Sequence, residues 1–189
     1  MAITEVARSS LAGREFELVV AATPSGPLAH AIDAYRQAVA VRIGRNPAHD
    51  LPPHCLVVRS YHDRPSSVRA YRRAFAATLM KNWRRPENVV VTALSLHTTW
   101  HGLEIESQPL RALAASLASP SVGGTRPNHF TLHDQLRLAL AAGFDHADHE
   151  ALSELALRIV DPMLPAQWDV ALWLRTEGAW APIWTARAS

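Results

Sequence analysis

Two kinds of apolar spacing follow one another along this chain, and their order restricts the fold more than any single motif. Phe16-Glu17-Leu18-Val19-Val20-Ala21-Ala22 reads as a strand, stopped by Thr23-Pro24-Ser25-Gly26-Pro27. Leu28, Ile32, Tyr35, Val39 and Ile43 then recur three or four residues apart, an amphipathic helix that opens on Pro27 and ends near Gly44. A polar stretch, 45–53, leads into a second strand at His54-Cys55-Leu56-Val57-Val58. Residues 60–67 break the pattern. Val68, Tyr71, Phe75 and Leu79 next give the buried stripe of a second helix, with Arg69, Arg72 and Arg73 mostly elsewhere on it. Stretches 88–96 and 101–106 predict two strands of a hairpin turning near Thr98-Thr99-Trp100. Leu110, Leu113, Ala114 and Leu117 predict a short helix, 136–142 reads as a further helix, and Leu152, Leu155, Ala156 and Ile159 as another, stopped by Asp161-Pro162. Two aromatic-rich strands, 168–175 and 179–186, close the chain around Glu177-Gly178.

Strands joined by a bare turn pair antiparallel, and here they are interspersed with helices. An α+β fold with antiparallel sheets is therefore expected, not a doubly wound parallel sheet. No glycine-rich phosphate loop of either common kind occurs, which argues against nucleoside triphosphate or dinucleotide binding by those routes. At 189 residues, with 48% hydrophobic and 19% charged residues, one globular domain with a sizeable core is expected over 16–186. Residues 1–15, without a clear period, are expected to be a loose lead-in. The net charge of +2 permits an anionic substrate without demanding a nucleic-acid surface. Cys55 is the only cysteine, so no internal disulfide or cysteine-based zinc site can form; within a strand it packs as a small apolar side chain. No apolar run approaches a membrane span and no signal pattern opens the chain, so a soluble cytoplasmic protein is expected.

Two stretches place a histidine at the head of a short apolar run: Pro53-His54-Cys55-Leu56-Val57-Val58 and Asn128-His129-Phe130-Thr131-Leu132. Along a strand, side chains alternate between faces, so His54 shares a face with Leu56 and His129 with Thr131. Imidazole has an ordinary pKa of about 6.5, so at neutral pH one ring can be neutral while another is charged. Two rings on opposite sides of one phosphate can then supply both the base and the acid that phosphodiester cleavage needs, without a metal.

Paired His-x-Ser/Thr-x tetrapeptides in an α+β chain resemble the two-histidine (2H) phosphoesterase superfamily, which includes 2′–5′ RNA ligase-like proteins and cyclic nucleotide phosphodiesterases. Pro53-His54-Cys55, Tyr61-His62-Asp63, Trp100-His101-Gly102-Leu103 and Trp168-Asp169-Val170-Ala171-Leu172 are also similar to one branch of it. The resemblance implies two lobes, each an antiparallel sheet with helices outside, around a pseudo-twofold cleft. It further implies that His54 and His129 are the catalytic pair and that the Thr131 hydroxyl contacts a phosphate oxygen. The ligand would be a small nucleotide or RNA end, with no cofactor, no membrane and no obligate protein partner. Leu56 departs from the pattern, standing where the superfamily has Ser or Thr. An alternative is therefore a nucleotide- or RNA-binding member with weakened catalysis.

Tyr61 and His101 are candidate substrate contacts, Tyr61 by stacking on a base or ribose and His101 by lining the cleft; sheet packing and a plain surface turn are the competing readings. His133, Asp134, His146, Asp148 and His149 have the ligand chemistry of a metal-dependent phosphohydrolase. However, 145–150 also reads as a capped, acidic helix start. The loop 119–128 could cover a substrate or simply connect.

Overall fold

A computed structural model describes residues 16–63, 68–82, 89–117, 135–176 and 179–186. Seven strands form one antiparallel sheet: β1 (Phe16–Ser25), β2 (Cys55–Asp63), β3 (Val90–His97), β4 (Trp100–Glu106), β5 (Leu136–Ala142), β6 (Gln167–Thr176) and β7 (Ala179–Ala186). Their spatial order is β3-β4-β5-β2-β1-β6-β7. Four helices among the described residues accompany it: α1 (Pro27–Ile43), α2 (Val68–Asn82), α3 (Gln108–Leu117) and α4 (His149–Ile159). The expected α+β class with antiparallel strands is what the chain adopts. The two strand groups, β3-β4-β5 and β2-β1-β6-β7, meet along a narrow seam where Cys55 on β2 pairs with Leu138 on β5.

Directly paired residues in an antiparallel ladder point to the same face. One line across the sheet runs Leu94, Leu103, Leu138, Cys55, Ala22, Val170. All six pack in or against one core, which also holds Tyr35 and Val39 of α1, Tyr71 and Phe75 of α2, Leu110 and Leu113 of α3, and Leu152 and Ala156 of α4. This is the helix-covered face. The predicted stripes of all four helices are the ones buried, and Phe75 meets Trp184 of β7 edge to face at 4.8 Å. The turn into α1 needs Gly26, whose φ of 84° is the left-handed region that residues with a Cβ avoid.

One element differs from its sequence reading. Residues 136–142 are strand β5, not a helix. Leu, Ala and Arg are good helix formers, but Leu136, Leu138 and Leu140 are buried while Arg137 between them is exposed, a period of two. Pairing β5 between β4 and β2 overrides the local preference. Residues 128–132 and the loop 119–128 lie outside the described residues.

Candidate functional site

The face away from the helices follows from the same register. His54 and Leu56 flank the core residue Cys55, so alternation turns both to the helix-free side. Arg137 and Ala139 flank Leu138 across the seam and turn the same way. Ala139 pairs with Gly102 and Arg137 with Glu104 on β4; Leu56 pairs with Ala21 on β1, and Ala21 with Ala171 on β6. Among the described residues, the seam therefore presents His54 and Arg137 above a floor of mostly small side chains.

His54 is half-buried and stands just ahead of β2. Its Nδ1 lies 2.8 Å from the Pro52 carbonyl oxygen. A carbonyl can only accept, so Nδ1 carries the proton and Nε2 keeps its lone pair. Nε2 has no partner among the described residues. Burial holds the His54 pKa below the ordinary imidazole value, the Pro52 carbonyl opposes this, and the Arg36 charge reinforces it. A neutral ring in a fixed tautomer, with a lone pair on Nε2, is a proton acceptor at neutral pH.

The loop that carries Pro52 is bolted from both sides. Arg36 of α1 is buried, and its guanidinium donates to the carbonyls of Ala48 and of Leu51, the latter at 2.7 Å. Asn46 caps the short 3-10 turn Pro47–His49, and its Oδ1 accepts from the backbone of Ala48 at 3.1 Å and of Ala142 on β5 at 3.4 Å. The sequence reading missed Arg36. The available signal was its place beside Tyr35 on the buried stripe of α1, next to a polar loop rich in carbonyl acceptors.

Arg137 is anchored from two directions. Its Nε donates to Glu104 Oε2 at 3.1 Å, and its guanidinium lies over the Trp100 ring, 5.3 Å from the centroid. Ser95 donates to Glu104 Oε1, also at 3.1 Å. The indole needs a bare backbone beneath it, because a Cβ on Gly102 would collide with Trp100 and with the Leu138 carbonyl. Gly102→Val is therefore expected to cost about 1–3 kcal/mol and to shift Trp100 fluorescence, both readable in one urea titration.

The other expected site residues are placed as follows. His101 is fully buried, on the helix-covered face. Its Nδ1 lies 2.8 Å from the Tyr35 hydroxyl, and its Nε2 lies 3.3 Å from both His149 Nδ1 and Ser153 Oγ. With both nitrogens engaged internally, His101 ties α1 and α4 to β4 and does not share a face with His54. Burial, with lesser contributions from His149 and His97, lowers its pKa to about 4. Tyr61 lies in β2 opposite Leu18, and its side chain lies outside the described residues, as do His129, Thr131, His133 and Asp134. Asp145 caps the 3-10 turn at His146–Asp148, as the capped helix start predicted. Among the described residues, no three His, Cys, Asp or Glu side chains are grouped to hold a metal ion. Cys55 is buried and its thiol is pushed up to about 12, which suits the packing role expected of it. No helix among the described residues is long and apolar enough to cross a membrane.

No family model matches the chain, and no curated protein matches it. Among solved structures, the chain is similar to the apo crystal structure of E. coli LigT, with a TM-score of 0.44 and 11% identity over 93% of this chain and 98% of that one. That likeness assigns no role to any residue.

Proposed function

We propose that this protein binds a nucleotide or RNA-derived phosphodiester, cyclic or 2′–5′, against the helix-free side of the seam and cleaves it by two-histidine acid–base chemistry. The observation that carries the reading is His54, whose Nδ1–H is held by the Pro52 carbonyl while Nε2 has no partner among the described residues. His54 Nε2 takes the proton from the attacking oxygen, water for a cyclic phosphate or the neighbouring hydroxyl for a 2′–5′ linkage, as the new P–O bond forms. The second acid–base group protonates the leaving oxygen as the old P–O bond breaks. His129 is proposed for that second role and Thr131 for a hydroxyl contact to a phosphate oxygen, on the resemblance of their tetrapeptide. No metal enters the scheme.

Leu56 favours a second reading, a nucleotide-binding protein with weakened catalysis, because it shares His54's side and cannot donate a hydrogen bond. One assay separates the readings. Purified protein is offered 2′,3′-cyclic nucleotides and 2′–5′ dinucleotides in excess chelator. The proposal expects turnover that chelation leaves intact and that His129→Ala lowers by roughly 10²-fold or more. Nucleotide binding without turnover, with activity gained on Leu56→Thr, would establish the second reading. Activity abolished by the chelator would overturn both in favour of a metal-dependent enzyme.

A further inference from the structure

We infer that Arg137, on β5 beside the seam, supplies the phosphate contact that Leu56 cannot make. The inference rests on the phosphodiester reading and names the residue that holds the ligand's charge. Because Cys55 pairs with Leu138, Arg137 stands opposite Leu56 and diagonally across from His54. Diagonal neighbours on one face of an antiparallel pair lie about 7–8 Å apart, within reach of long side chains. A ligand phosphate lying over the seam therefore meets an imidazole from one strand and a guanidinium from the next.

Three features separate Arg137 from an ordinary surface arginine. First, the anchor to Glu104 uses Nε alone, and both terminal nitrogens have no partner among the described residues. Those two nitrogens can donate side by side to two phosphate oxygens. Second, the guanidinium is held in place before any ligand arrives, by Glu104 through Nε and by the Trp100 ring beneath it. Preorganisation of this kind reduces the entropy lost on binding. Third, the Arg137 side chain remains 44% exposed, and Ala93, Gly102 and Ala139 on this face are too small to cover it. Arg175 shows the contrast. It also sits over a tryptophan, Trp180, but its terminal Nη1 is the atom that binds Glu17, and it lies on β6, beyond β1 from the seam.

A guanidinium placed this way selects an oxyanion over a neutral nucleoside. The test measures binding of adenosine 2′,3′-cyclic phosphate, inorganic phosphate and adenosine by titration, so it reads Arg137 whether or not the ligand is turned over. Arg137→Ala is expected to weaken the cyclic phosphate by about 10- to 100-fold, the size of a lost charge-assisted hydrogen bond, and to leave adenosine unchanged. Arg137→Lys, which keeps the charge without the fork, should recover only part of the loss. Arg137→Gln gives a second neutral replacement, and melting temperatures within a few degrees of the parent confirm that each variant is folded. Unchanged cyclic phosphate binding in Arg137→Ala and Arg137→Gln, with the parent binding normally, would overturn the role of Arg137 and leave the phosphodiester reading standing. A parent protein that binds none of the phosphate ligands would overturn the phosphodiester reading itself, and this inference with it.

Discussion

His54→Ala is expected to lower phosphodiester turnover by roughly 10²–10⁴-fold, the range that a positioned general base contributes. The fold should persist, because the ring is half-buried at the head of β2 and its one hydrogen bond among the described residues goes to the nearby Pro52 carbonyl. Ligand binding should fall much less than turnover, since the charge contact is assigned to Arg137. The direction of the pKa shift adds a second signature. Burial holds the His54 pKa below the ordinary imidazole value, so the ring is neutral and competent at pH 7. The acid limb of kcat/KM, which reports the free enzyme's essential base, should therefore lie below about 6.5. Releasing the loop by Arg36→Met should lower kcat as well, because the carbonyl that fixes the tautomer is then no longer braced. Steady-state rates across pH for the parent and both variants check these expectations together.

The second large effect concerns stability. His101 has a folded pKa of about 4 because it is buried, against about 6.5 in an unfolded chain. The unfolded state therefore binds more protons than the folded state between these values. Stability is complete above about pH 6.5 and is lost as the pH falls toward 4, by at most about 3 kcal/mol. His54 shifts in the same direction and adds to the loss. Urea denaturation at a series of pH values in His54→Ala removes the His54 share. The pair Tyr35→Phe with His101→Leu removes the His101 share. This pair removes both partners of the 2.8 Å hydrogen bond but leaves His149 and Ser153 without their His101 contact, so it should cost some stability at pH 7 and be markedly flatter in acid. Equal slopes in the parent and the pair would remove His101 as the source of acid sensitivity.

The strand and helix stripes were legible because burial follows period: Leu28, Ile32, Tyr35 and Val39 are spaced to face one side, and they do. The misread stretch, 136–142, shows the limit. Its composition suits a helix, and only its place between β4 and β2 makes it a strand. That error hid the most informative neighbour of His54, because Arg137 lies on a strand that composition alone did not reveal. His54 was visible as a histidine heading an apolar run, but its tautomer depends on the Pro52 carbonyl and on Arg36, neither of which leaves a motif. His101 was singled out because the run Trp100-His101-Gly102-Leu103 is similar to the branch that the chain resembles, with a plain surface turn as the competing reading. The fold starts β4 at Trp100, which turns that ring into the core and leaves Trp100 beside Arg137.

The most direct test of the account is a nitrogen-resolved NMR titration of the His54 imidazole with and without adenosine 2′,3′-cyclic phosphate. The ring is expected to be protonated on Nδ1 and bare on Nε2 at pH 7, with a pKa below about 6.5 that rises when the anionic ligand arrives beside Nε2. A His54 ring protonated on Nε2, or one whose titration is untouched by saturating ligand, would contradict it.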